Sequence, residues 1–185
     1  MDAREDKQLW GEQYSRKTAD IGSVQQEIAT AISGNLRVRL TTEQRTRLTK
    51  ASAGNPEAYQ LYLKGRYFAN QATAESFKKS FEYFQQAIER QPDYAEAYAA
   101  LADSYASVGG GWLYLPTTEF LPKAKAASLK ALELDDTLAE AHAALAYVAF
   151  FEWDWTNAER EFKRAIELNP NSALSREKYA EFLQT

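Results

Sequence analysis

The feature that most constrains this chain is that it repeats itself. A short block recurs three times, at Phe84–Pro92 (FQQAIERQP), Ser128–Asp136 (SLKALELDD) and Phe162–Pro170 (FKRAIELNP). A second block alternates with it, at Ala95–Ala102 (AEAYAALA) and Ala139–Ala146 (AEAHAALA). The end of the first block advances 44 residues from Pro92 to Asp136 and then 34 from Asp136 to Pro170. Self-similarity at this period builds stacked supersecondary units, each of which buries its apolar face only against its neighbours.

Each block reads as helix. Leu101, Ala102 and Tyr105 fall on one helical face, as do Ala158, Phe162 and Ala165. The chain holds only 8 Gly and 5 Pro, too few for a fold of many short strands. Alanine is abundant; it is the best helix former and lets paired helices approach closely. Pro92 and Pro170 end their blocks because proline cannot donate the helical hydrogen bond.

These residues resemble the tetratricopeptide repeat (TPR) family, whose unit is a pair of helices. The fullest match is residues 139–172: Leu145 and Ala146 in the first helix, then Ala158, Phe162, Ala165 and Pro170 in the second. His142 stands where the family has Trp and Ala149 where it has Tyr. The resemblance implies an all-α, antiparallel helix-pair solenoid, a right-handed superhelix, over 55–185. Its repeats are expected at 57–94, at 95–138 with an insertion over 107–118, and at 139–172, with a half repeat at 173–185.

Residues 1–54 are expected to form a separate segment. Lys7–Arg16 alternates like a strand. A helix capped by Asp20 or Ser23 would run through Val24, Ile28, Ile32 and Leu36, and Thr42 would cap another over 43–51. Residues 2–40, with Leu9, Trp10, Tyr14, Ile21, Val24, Gln25, Glu27 and Ile28, resemble the end of the amino-terminal domain of TolB. That domain precedes such repeats in large bacterial signalling proteins. The implied chain is the tail of an αβ domain, a linker helix and a repeat domain, cut from a longer protein.

Composition narrows the chemistry. There is no Cys and one His, His142, which excludes thiolate chemistry and a zinc site built from these ligands alone. His142 falls at a helix-packing position, which favours a structural role. No enzyme, metal or cofactor is expected. Gly109–Gly111 lacks the Lys-Ser/Thr of a phosphate loop and reads as a turn that ends a helix and opens the insertion. Residues 55–185 carry a net −6 of the chain's −4, which argues against nucleic acid. The basic run Arg37, Arg39, Arg45, Arg47 and Lys50 reads as a solvated helix face. No apolar run suits a membrane span. A signal peptide is not visible, and the compartment, cytoplasmic or periplasmic, stays open.

What remains is a surface. The family's inward positions fall on Glu57, Gln60, Lys64 and Phe68 in the first repeat. In the second they fall on Glu96, Ala99, Asp103 and Ser107, and in the third on Glu140, Ala143, Tyr147, Phe150 and Phe151. Glu177 and Glu181 complete them from the last helix. Six carboxylates against one Lys predict a protein or peptide partner that is basic, or apolar with basic flanks. Two loops admit either ligand contact or local packing: Trp112 and Tyr114 in the insertion, and 152–155 (EWDW). Tyr179, Phe182 and Leu183 on the final helix predict self-association. Two alternatives stand beside the interaction module: a pure assembly element with an empty groove, and a small-ligand sensor or enzyme using the Trp112 loop.

Overall fold

The structure, a computed structural model, describes residues 55–109 and 117–184. The readings placed on 1–54, including the TolB-like likeness, and those on Trp112 and Tyr114 lie outside the described residues. Among the described residues there are seven helices and no strand: α1 (Pro56–Ala69), α2 (Ala74–Arg90), α3 (Ala95–Ser107), α4 (Thr117–Leu134), α5 (Ala139–Phe151), α6 (Trp155–Leu168) and α7 (Ala173–Phe182). They stack as antiparallel pairs, α3/α4 and α5/α6, with α7 packed on α5 and α6, and α1 pairs with α2 through Tyr62 and Gly65 on Phe84 and Phe68 on Tyr83.

Local chemistry sets the helix starts. Thr73 and Ser76 form a capping box at α2: Thr73 Oγ1 accepts from Ser76 N at 3.1 Å, and Ser76 Oγ accepts from Thr73 N at 2.9 Å. Asp154 caps α6 by accepting from Asn157 N, and Ser172 caps α7 by accepting from Ser175 N. The helices α3 and α5 have no side-chain cap; they follow Tyr94 and Leu138. The stops differ between repeats. Pro92 and Pro170 follow the ends of α2 and α6, whereas α4 ends at an Asx turn in which Asp135 Oδ1 accepts from Thr137 N at 3.0 Å.

The core lies along the seam between first and second helices. Phe84 and Phe162, from equivalent positions of α2 and α6, are both fully buried. Phe84 sits directly on Gly65 of α1, where a Cβ would come within 2.5 Å of its ring. Alanines 97, 99, 100, 102 and 106 of α3 and 141, 143, 144 and 146 of α5 are buried as well, so neighbouring helices meet almost backbone to backbone. Gly109 closes α3 for the same reason: it is buried, and an added Cβ would lie 2.9 Å from Leu121 of α4. Close approach accounts for this glycine at the end of α3.

Candidate functional site

The inner face is built by α1, α3, α5 and α7, with the α1–α2 turn at one end. Two cavities open on it. One, of about 190 Å³, is lined by Ala72 and Phe77 from the first repeat, Ser107, Tyr147, and Leu174, Glu177, Lys178 and Glu181 of α7. The other, of about 180 Å³, is lined by Arg66, Ala69, Asn70, Phe84, Ala100, Asp103, Ser104 and Glu140. Both also draw on Phe77, Ser107 and Leu174, so they form one surface reaching from the first repeat to the last helix.

Two ion pairs cross this surface, and each skips a repeat. Arg66 Nη1 of α1 donates to Glu140 of α5, at 3.0 Å to Oε1 and 3.2 Å to Oε2, and to the Tyr62 hydroxyl at 3.1 Å. Burial pushes the Tyr62 phenol up to about 12, although the Arg66 charge opposes it. Lys178 of α7 donates to Asp103 Oδ1 of α3 at 2.5 Å, and its ammonium lies 4.9 Å from the centre of the Tyr147 ring. The Tyr147 hydroxyl donates to Glu181 at 3.2 Å; burial and then the Glu181 carboxylate raise that phenol well above its ordinary value. The two pairs differ in setting. Arg66 and Glu140 side chains are 40% and 41% exposed, whereas Lys178 is 7% exposed and Asp103 25%. Solvent screens the first pair and hardly the second.

The expected inner residues thus divide. Asp103, Glu140, Tyr147, Glu177 and Glu181 line the cavities, as does Ser107. Lys64 and Phe68 lie against α2: Phe68 stacks on Tyr83 at 5.5 Å with Lys79 over its ring, and Lys64 lies 5.7 Å from Tyr83. Phe150 and Phe151 join an aromatic cluster with Tyr147, Trp155 and Phe182. Glu57, Gln60 and Glu96 line neither cavity. Arg66, Lys178, Phe77 and Leu174 were missed by the sequence reading. The signal for the two cations was the carboxylate excess itself, because acidic side chains gathered on one face favour counter-charges within reach.

His142 works within the scaffold. Its Nδ1 meets Glu161 Oε2 of α6 at 2.6 Å, and its Nε2 meets the Asp136 carbonyl at 3.0 Å. Burial favours the neutral Glu161, but hydrogen bonds from His142 and Arg160 outweigh it and hold this carboxyl below the usual range. The 152–155 loop separates its two aromatics. Trp155 packs 5.7 Å from Phe150 and 5.9 Å from Phe182, while Trp153 is 75% exposed. Among the described residues no group of three His, Asp or Glu could hold a metal, and no helix is long and apolar enough to cross a membrane.

The architecture has close counterparts among solved structures. The first TPR domain of human RPAP3 superposes with a TM-score of 0.56 over 71% of this chain and 93% of that domain, at 16% identity. The chain has the tetratricopeptide-repeat fold. The first TPR of Spaghetti (RPAP3), solved bound to the HSP90 peptide SRMEEVD, is equally similar: TM-score 0.55, 15% identity, 71% of this chain and 94% of that one. No family model matches the chain. By sequence, a Rhizobium meliloti (strain 1021) protein named as an adenylate cyclase is 34% identical over 94 residues, which is 51% of this chain and 16% of that protein. The chain spans less than a third of the length of each curated relative it matches.

Proposed function

We propose that this chain is a protein-interaction module whose inner face holds an extended segment of a partner, and that it serves as a scaffold within a larger bacterial signalling or regulatory protein rather than as an enzyme. The observation that carries the reading is the continuous surface from Arg66 to Glu181, in which the first repeat and the last helix share one cavity. The Spaghetti domain of the same fold holds a peptide, and the cyclase-named relative supports the signalling context.

The segment we favour is apolar with basic flanks. Phe77, Leu174 and the Tyr147 ring offer apolar contact. Asp103 and Glu140 are already answered by Lys178 and Arg66, so the attraction concentrates at Glu177 and Glu181 on α7. Fluorescence anisotropy with peptides carrying a central Leu or Phe and flanking Lys tests this. Glu177→Lys with Glu181→Lys is expected to weaken the basic peptides by about tenfold or more, equivalent to ~1.4 kcal/mol. Unchanged affinity, or stronger binding of acidic peptides to the native chain, refutes the preference.

A second reading, self-association through α7, is favoured by the exposure of Leu183 at 63% and Leu174 at 40%. Light scattering across a wide concentration range decides it: a rising mass supports assembly, and a constant monomer mass rejects it.

A further inference from the structure

Two turns of this protein share a backbone conformation but not a side chain. Between α1 and α2, Ala72 precedes the cap Thr73 with φ of 51°. Between α5 and α6, Trp153 precedes the cap Asp154 with φ of 62°. This left-handed region suits Gly or Asn and disfavours a bulky side chain. The first turn shows that the geometry needs nothing larger than a methyl group. At Trp153 the chain nevertheless places an indole that is 75% exposed. The ring does little for the core; its one aromatic neighbour among the described residues is Trp155, at 5.4 Å and 78°.

The surroundings give the site a sign. The perpendicular indoles leave two π faces around one corner, and Trp155 is itself 40% exposed. Carboxylates flank the corner in sequence at Glu152 and Asp154. Lys125 of α4 reaches Glu152 at 2.6 Å, so that carboxylate is engaged. Asp154 is exposed, and hydrogen bonds from Asn157, with smaller contributions from the Arg160 and Lys125 charges, hold its carboxyl below the usual range, which keeps it ionised at neutral pH. No cation among the described residues lies over either indole, although Lys or Arg lies over Tyr62, Phe68, Tyr83, Tyr105, Phe120 and Tyr147 elsewhere.

We infer that the Trp153–Trp155 corner is a second interaction site, separate from the inner face, that receives an arginine side chain of a protein partner. The guanidinium would stack on the Trp153 face, with Asp154 as its counter-charge. A planar, weakly hydrated cation suits an indole face better than a compact ammonium does.

The test uses the full chain labelled with ¹⁵N and three short peptides of otherwise neutral sequence, carrying one central arginine, lysine or citrulline. The arginine peptide is expected to shift the indole N–H signals of Trp153 and Trp155. Lysine should bind more weakly, and citrulline not measurably. Trp153→Gly is expected to abolish the arginine response while leaving Tm unchanged or higher, because glycine relieves the left-handed backbone; Trp153→Asn serves the same purpose should the glycine variant fold poorly. Equal responses to arginine and citrulline, no response to arginine, or retained binding in these variants overturns the inference. So does a Tm drop of several degrees in both variants, which would make the ring part of the scaffold. Glu177→Lys with Glu181→Lys should leave these shifts intact, so failure of the inner-face proposal and failure of this one are separable.

Discussion

The same first helices are held on two sides by different means. Toward the second helices the contact is apolar, buried and close. Phe84 lies on Gly65, Phe162 lies among buried alanines, and the rings are fully enclosed. Toward the inner face the contacts are charged and span alternate repeats, Arg66 to Glu140 and Lys178 to Asp103. A seam of this kind admits one arrangement, because interiors pack at near-crystalline density. Charged pairs beside open cavities can exchange one counter-charge for another. On the function proposed above, the seam holds the fold and the inner face is the surface that would meet a partner.

The sharpest way to break the comparison is to hollow the seam. Phe84→Ala is expected to cost about 3–5 kcal/mol in chemical denaturation. Next comes the buried inner pair. Asp103→Asn leaves the Lys178 ammonium, 7% exposed, without its counter-charge, and about 2–3 kcal/mol is expected, below the range for a fully buried pair because Asp103 is 25% exposed. Gly65→Ala overfills the seam. The Phe84 ring must move away from a Cβ at 2.5 Å, for a loss of about 2 kcal/mol. Arg66→Gln breaks a pair about 40% open to solvent and should change stability by less than about 1 kcal/mol. A loss from Arg66→Gln as large as that from Phe84→Ala would erase the distinction between the two sides.

The smallest effect is acidic. The folded Glu161 carboxyl is depressed below its unfolded value of about 4.3, so its stabilisation is complete above that pH. It is lost as the pH falls through the folded value. Thermal melts of Glu161→Gln are therefore expected to show a shallower decline below about pH 4 than the native chain. Parallel declines would remove this carboxyl from the account.

The seam was largely legible in the sequence. The recurrence of Phe84 with Phe162, and of the alanine blocks, records packing that repeats with the chain. The inner face was legible only in part. Asp103, Glu140, Tyr147, Glu177 and Glu181 follow from repeat position. Phe68 lies two residues from Arg66, roughly 200° around the helix, so a shift of two positions in the assumed register exchanges a seam residue for an inner one. The pairs of Arg66 with Glu140 and Lys178 with Asp103 depend on how tightly the stack curves. That curvature comes from summed alanine and glycine contacts, which no single motif encodes. Trp153 shows another limit: its exposure and left-handed backbone emerge only when the turn is built.

The most direct test of the inner face as the partner-holding surface is parallel selection from a random peptide library on the full chain and on Ser107→Trp, which fills the wall common to both cavities. The account predicts that apolar sequences with Lys or Arg flanks are enriched on the native chain and lost on the variant. Enrichment of acidic sequences, or the same sequences recovered from a folded Ser107→Trp, would contradict it.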